Sequence, residues 1–212
     1  MQLQSISAVT MPGYKIYEYL LVVVPHEELR NRISELKKNF AGDYQTENAK
    51  WGTPQVTLVN FMQYEMMEER IINRLRLISM ANSPFKVELK NFGSFPSHTI
   101  YINVTSKLPL QHLVKTIRHE AQRLMKLNDD NKPHFILEPH ITIARKLQPW
   151  QYEKAWLEYS HKNFTGKFIA GSMILLKKPV GETDGHLMKY HTVQRFEFQN
   201  MPVTTKQGDL FG

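Results

Sequence analysis

The sequence predicts an α+β fold of two similar sheet-and-helix lobes, pseudo-symmetric and bilobal, facing each other across a central cleft. Three observations lead there. Short runs rich in aromatic, β-branched and other aliphatic residues alternate with amphipathic stretches of helical period. Two strand-like segments repeat one pattern 85 residues apart, at Gln55 and again at His140. A length of 212 residues, 42% hydrophobic and 22% charged, can bury one domain core or two small ones, which excludes a disordered chain.

The elements follow in order. Residues 14–25 are rich in Tyr, Ile, Leu and Val and read as a buried strand. In residues 26–40, Leu29, Ile33, Leu36 and Phe40 form one helical stripe, with Gly42 placed to stop the helix. Residues 55–63 are a second strand. Residues 65–80 are a helix with Glu65, Glu68 and Glu69 early and Arg70, Arg74 and Arg76 later, the order the helix dipole favours. Residues 84–89 and 99–105 read as strands with a turn over 91–97. The clearest helix is 108–126, where Leu110, Leu113, Val114, Ile117, Ala121 and Leu124 keep a 3.6 period. After a polar break at 128–133 come a strand (140–146), a helix (149–161), one strand over 167–176 and a last strand over 190–198. The expected organisation is an N-terminal arm (1–13), a single bilobal domain (14–199) and a flexible C-terminal tail (200–212).

Composition narrows the function classes. The chain has no cysteine, which removes disulfides, thiolate metal sites and cysteine nucleophiles. The longest aliphatic run, Leu20 to Val24, is far shorter than the roughly 20 residues of a membrane span, and residues 1–13 lack a signal-peptide pattern. The expected location is therefore the cytoplasm. A net charge of +7 favours polyanionic partners such as nucleic acid.

The repeated strand carries the chemistry. Pro54-Gln55-Val56-Thr57-Leu58-Val59-Asn60 and Pro139-His140-Ile141-Thr142-Ile143-Ala144-Arg145 share the order Pro, polar, β-branched, Thr, aliphatic, and each precedes an amphipathic helix. Residues i and i+2 of a strand share a face, so Gln55 pairs with Thr57 and His140 with Thr142. Facing lobes would bring both pairs into one cleft. The plain alternative is two half-buried strands whose threonines simply suit β structure.

On these residues the chain resembles the two-histidine phosphoesterase superfamily, in its 2′-5′ RNA ligase-like (LigT) branch, whose signature is two His-x-Thr motifs on strands of two pseudo-symmetric lobes. The second motif matches in full at residues 139–145, and similarity extends over most of 14–199. The resemblance implies action on 2′,3′-cyclic or 2′-5′ phosphodiesters at RNA or nucleotide ends, with no metal and no ATP. One imidazole takes a proton from the attacking oxygen and the other gives one to the leaving oxygen. His140, Thr142, Thr57 and Gln55 are the implied catalytic positions. Gln55 stands where the first histidine belongs. An amide can orient a phosphate but cannot titrate, and losing one proton-transfer group typically costs on the order of 10² to 10⁴ in rate. The chain is thus expected to be an impaired or altered phosphodiesterase or ligase; the alternative is a non-catalytic binder of RNA ends or nucleotides. Of the remaining histidines, His134 and His98 lie near enough in sequence to be weighed as substitutes.

Arg145, Trp51 and Tyr190 are the expected substrate-binding residues. Arg145 would pair with a phosphate, but strict alternation puts it on the face opposite His140, so that role requires a bulge or strand end. Trp51 could stack on a base or pack between lobes. Tyr190 ends a loop, 178–189, that could cover the cleft. Lys115, Arg118, His119, Gln122 and Lys126 form a basic helix face, read as solvated rather than RNA-binding. There is no Gly-x-x-x-x-Gly-Lys loop and no Lys-x-Asp-Gly motif, so no cofactor is expected and any ligation would be ATP-independent. Gln207, Leu210 and Phe211 resemble the short peptides that dock on the bacterial DNA sliding clamp; a merely polar tail is the plain reading.

Overall fold

A computed structural model describes residues 14–96, 98–180 and 189–201. The N-terminal arm, most of the loop before Tyr190, and Gln207, Leu210 and Phe211 lie outside the described residues. In chain order the elements are β1 (Ile16–Val23), α1 (Glu27–Asp43), a 3-10 turn (Glu47–Lys50), β2 (Val56–Tyr64), a second 3-10 turn (Glu65–Met67) and α2 (Glu68–Ala81). Then come β3 (Phe85–Phe95), β4 (Thr99–Val104), α3 (Lys107–Met125), β5 (His134–Phe135), β6 (His140–Arg145), α4 (Pro149–Tyr159), β7 (Thr165–Ala170), β8 (Ser172–Pro179) and β9 (His191–Glu197).

Two antiparallel sheets result, in the orders β5-β2-β1-β8-β9 and β6-β4-β3-β7. Each carries one motif strand, and β2 and β6 touch. Two of the four helices are exchanged between the lobes. The chain leaves β1 of the first sheet into α1, which packs on β6 and β7 of the second; it leaves β4 of the second sheet into α3, which packs on β2 of the first. One hydrophobic cluster runs through both halves, from Tyr19, Leu58 and Phe61 to Phe40, Ile100, Ile141 and Tyr159.

Local chemistry sets the helix starts. His26 caps α1 by accepting the Leu29 amide, with Glu27 and Glu28 in the first turn. Gln148 and Gln151 form a reciprocal capping box at α4, behind Pro149 in the first helical position.

Three expectations need correction. The strand over 167–176 is two strands in different sheets, broken at Gly171, because β7 finds its partner in β3 and β8 finds β1 and β9. The turn over 91–97 is mostly strand: β3 continues to Phe95 past a bulge at Asn91, which takes a left-handed φ of 56° and exchanges hydrogen bonds with Phe164. Gly42 does not stop α1, which runs on to Asp43. At the C-terminal end, Asn200 and Met201 bond through their amides to the carbonyls of Asn82 and Met80, so contacts continue past the expected tail boundary at 199. Among the described residues no helix is long and apolar enough to cross a membrane.

Candidate active site

The two motif strands are built alike. From Pro54 to Asn60 exposure alternates buried, partial, buried, partial, then breaks into two buried residues, Leu58 and Val59, before Asn60 emerges. From Pro139 to Arg145 the order is the same, with Ile143 and Ala144 as the buried pair. A bulge causes each break. Val22 of β1 faces Thr57 and Leu21 faces Val59, leaving Leu58 without an opposite number. Tyr101 of β4 faces Thr142 and Ile100 faces Ala144, leaving Ile143 in the same position. The extra residue resets the alternation. Arg145 therefore shares a face with Thr142 and His140, and Asn60 shares one with Thr57 and Gln55. The bulge that the Arg145 reading required is present.

His140 is half-buried at the start of β6. Its Nδ1 lies 2.7 Å from the Glu138 carbonyl oxygen, which can only accept, so Nδ1 carries the proton and Nε2 keeps its lone pair. The ring packs edge-on to Phe95 at 5.2 Å and tilts against Tyr101 at 4.8 Å. Burial pushes the imidazole below the ordinary histidine value, against a weaker pull from Glu138. The ring is thus neutral at pH 7, with a basic nitrogen free.

On the first sheet, Asn60 donates to Glu18 at 3.2 Å, Lys178 pairs with Glu18 at 2.7 Å, and the Tyr190 hydroxyl also donates to it. Burial opposes ionisation of Glu18, but the hydrogen bonds from Lys178, Tyr190 and Asn60 prevail and hold its carboxyl below the usual range. Burial, and then Glu18, push the Tyr190 hydroxyl well above its usual value, with Arg145 acting in the opposite sense. The charge of Arg145, on the second sheet, is thus felt at Tyr190, whose hydroxyl is held on the first.

Trp51 stands half in solvent ahead of the first motif. The residue is 53% exposed, with the Lys50 ammonium 5.3 Å from the ring centre. His98 bonds Thr99 through Nδ1 at 2.6 Å, and His134 is exposed opposite Asn60 on β5. Phe95, Tyr101 and Glu138 occupy the surroundings of His140, and neither other histidine is among them. Two open surface pockets, of about 620 and 540 Å³, lie along α1 and β7 and include no motif residue. Among the described residues no three or more histidine, aspartate or glutamate side chains are grouped to hold a metal ion.

The sequence reading does not single out Phe95, Tyr101 or Asn60 as site residues, although Asn60 ends the first motif. Asn60 was findable: it stands to Gln55 as Arg145 stands to His140.

Comparison with known proteins gives this site its setting. The pattern that defines the 2′-5′ RNA ligase superfamily matches residues 25–182, three-quarters of the chain and both motif strands. The chain belongs to the 2′-5′ RNA ligase superfamily. It is 27% identical over 138 residues to a protein of Geobacillus kaustophilus named as a candidate phosphoesterase, covering 64% of this chain and 73% of that one. Two solved structures share its fold. E. coli LigT, crystallised with 3′-AMP, superposes with a TM-score of 0.57 at 15% identity over 87% of this chain and 98% of LigT. A Thermus thermophilus protein gives 0.62 at 15% identity over 86% and 98%. The two curled antiparallel sheets and four helices are thus a fold shared with proteins of only 15% sequence identity.

Proposed function

We propose that this chain is a single-histidine phosphodiesterase of the 2′-5′ RNA ligase superfamily, acting without metal or ATP on 2′,3′-cyclic or 2′-5′ phosphodiesters at RNA or nucleotide ends. The observation that carries the reading is the common face of His140, Thr142 and Arg145, produced by the bulge at Ile143, with a matching bulged face of Gln55 and Thr57 on β2, the strand that touches β6. E. coli LigT has been crystallised with 3′-AMP, NADP+ and ATP, which supports a small nucleotide as the ligand class.

In this reading the phosphate lies between the two threonine hydroxyls, with the Arg145 guanidinium supplying charge and paired donors. Nε2 of His140 takes a proton from the attacking water as its oxygen bonds to phosphorus. The P–O bond to the leaving ribose oxygen breaks, and Gln55 donates a hydrogen bond to that oxygen. Since an amide gives up no proton, the alkoxide takes its proton from solvent, and turnover is slow by the factor of roughly 10² to 10⁴ that a missing general acid costs. Trp51 and Tyr190 border the substrate.

Gln55 itself favours a second reading, a nucleotide-binding protein that keeps the cleft without turnover. Hydrolysis of 2′,3′-cyclic AMP by wild type, His140→Ala and Gln55→His separates the two. The enzyme reading expects slow wild-type turnover, abolished in His140→Ala and raised in Gln55→His. Equal inactivity of wild type and His140→Ala, with turnover only in Gln55→His, would leave the binding protein.

A further inference from the structure

The two motif strands are held by matching clamps of unlike charge. On α1, the helix before β2, the Lys37 ammonium donates to the carbonyls of Trp51 and Gly52, each at 2.8 Å. On α3, the helix before β5 and β6, the Gln111 amide donates to the carbonyl of Leu137 at 2.9 Å. Gly52 precedes Gln55 by three residues and Leu137 precedes His140 by three, so both clamps grip the same point in the approach to a motif. A neutral amide suffices in the lobe that has its histidine. The lobe that lost it uses a cation.

That cation is costly where it sits. Lys37 is 6% exposed, on the buried stripe of α1 with Ile33, Phe40 and Ala41. Burial first, and then the neighbouring charge of Arg145, push its ammonium down to about 8. Among the described residues Arg145 is the charged group that acts on it. On the elements packed against α1, Glu47 and Lys50 pair with each other at the surface, Lys167 of β7 is exposed, and His140 stands at the other end of β6. A backbone clamp alone does not need the charge, as Gln111 shows. The Lys37 ammonium is spent on two backbone carbonyls beside the Gln55 motif, α1 packs on the strand that carries Arg145, and an anion held on the motif face would offset both positive charges.

We propose that Lys37 is a positioning residue of the cleft whose charge, beside Arg145, replaces the positive partner that the Gln55 lobe has lost and helps retain an anionic ligand. The inference rests on the phosphate-binding reading above and deepens it. An anion favours the protonated amine, so binding weakens as pH rises through about 8, with no requirement for turnover.

Sulfate is the probe, because its charge is constant across the range and it is not a substrate. Its affinity for the full chain is measured by NMR titration near pH 7 and near pH 9.5 for wild type, Lys37→Gln and Lys37→Arg. Wild type is expected to bind roughly tenfold more weakly at the higher pH. Lys37→Gln, which keeps an amide donor, is expected to bind weakly at both, with a flat profile. Lys37→Arg carries a charge that does not titrate here and is expected to bind well at both; it decides the matter if the glutamine variant fails to fold. Wild-type affinity and pH profile in Lys37→Gln or in Lys37→Arg would overturn the proposal, as would no binding by wild type. Lys37-dependent sulfate binding in a protein that never cleaves a cyclic diester would leave this inference standing and remove the catalytic one.

Discussion

Arg145 stands opposite Thr99 in the β4–β6 ladder, three residues beyond Thr142 and on the same face. The bulge at Ile143 makes this possible, and it delivers an exposed guanidinium to the side of the sheet where His140 lies. Under the proposed phosphodiesterase reading, Arg145→Ala is expected to weaken nucleotide binding, tested with 3′-AMP, at least tenfold, as loss of a charge-assisted contact worth about 1.5–3 kcal/mol does. Thermal stability should barely change, because the side chain is exposed and buries little. Calorimetric titration checks the first expectation and a melting curve the second.

His140 makes the fold sensitive to acid. Its folded pKa is depressed by burial, so between the unfolded value near 6.5 and the lower folded value the unfolded chain binds the extra proton. This site therefore costs nothing above about pH 6.5 and removes stability as pH falls below it. His140→Gln is expected to lose less stability than wild type between about pH 7 and pH 5. Urea unfolding at the two pH values measures the difference; equal losses would show that the imidazole is not strained by burial.

Gly93 makes room for the wall behind His140. A Cβ there would meet Asn103 Oδ1 and the Tyr101 ring at 2.6 Å, and Tyr101 is the residue tilted against the imidazole. Gly93→Ala is expected to cost about 1–3 kcal/mol as the ring is displaced. It should also move the titration of His140, followed through the imidazole proton resonances. A stable variant with an unchanged titration would show that Tyr101 yields without touching the site.

Gln63, 3% exposed, closes the end of α3 by donating to the carbonyls of Leu124 and Lys126 at 2.8 and 3.1 Å. Gln63→Met keeps the bulk and leaves both carbonyls without this donor. A loss of roughly 1–3 kcal/mol is expected on chemical denaturation, with the candidate site undisturbed because Gln63 lies at the far end of β2 from Thr57.

Most elements were legible because local pattern makes them. The 3.6 period of Leu110, Leu113, Val114, Ile117 and Ala121 specifies a helix wherever it packs, and Pro149 ahead of an apolar stretch marks a helix start. The motif strands were legible for the same reason, since alternation places Thr57 with Gln55 and Thr142 with His140 before any partner strand is known. Residues 167–176 show the limit. They read as one strand because each half has strand composition, and the division at Gly171 depends on β3 and β1 lying in different sheets.

By itself the sequence determined that two like strands, one with histidine and one with glutamine, would each offer a polar side chain and a hydroxyl on one face. Tertiary structure decided which further residues join them. Asn60 and Arg145 reach that face because a neighbouring strand is one residue short at Leu58 and Ile143, a mismatch that exists only once β1 and β4 are paired. Lys37 meets Gly52 only because α1 leaves its own sheet to pack on the other. A strand's alternation belongs to its own backbone, whereas a bulge or a clamp is made by two segments, and only folding brings the second one near.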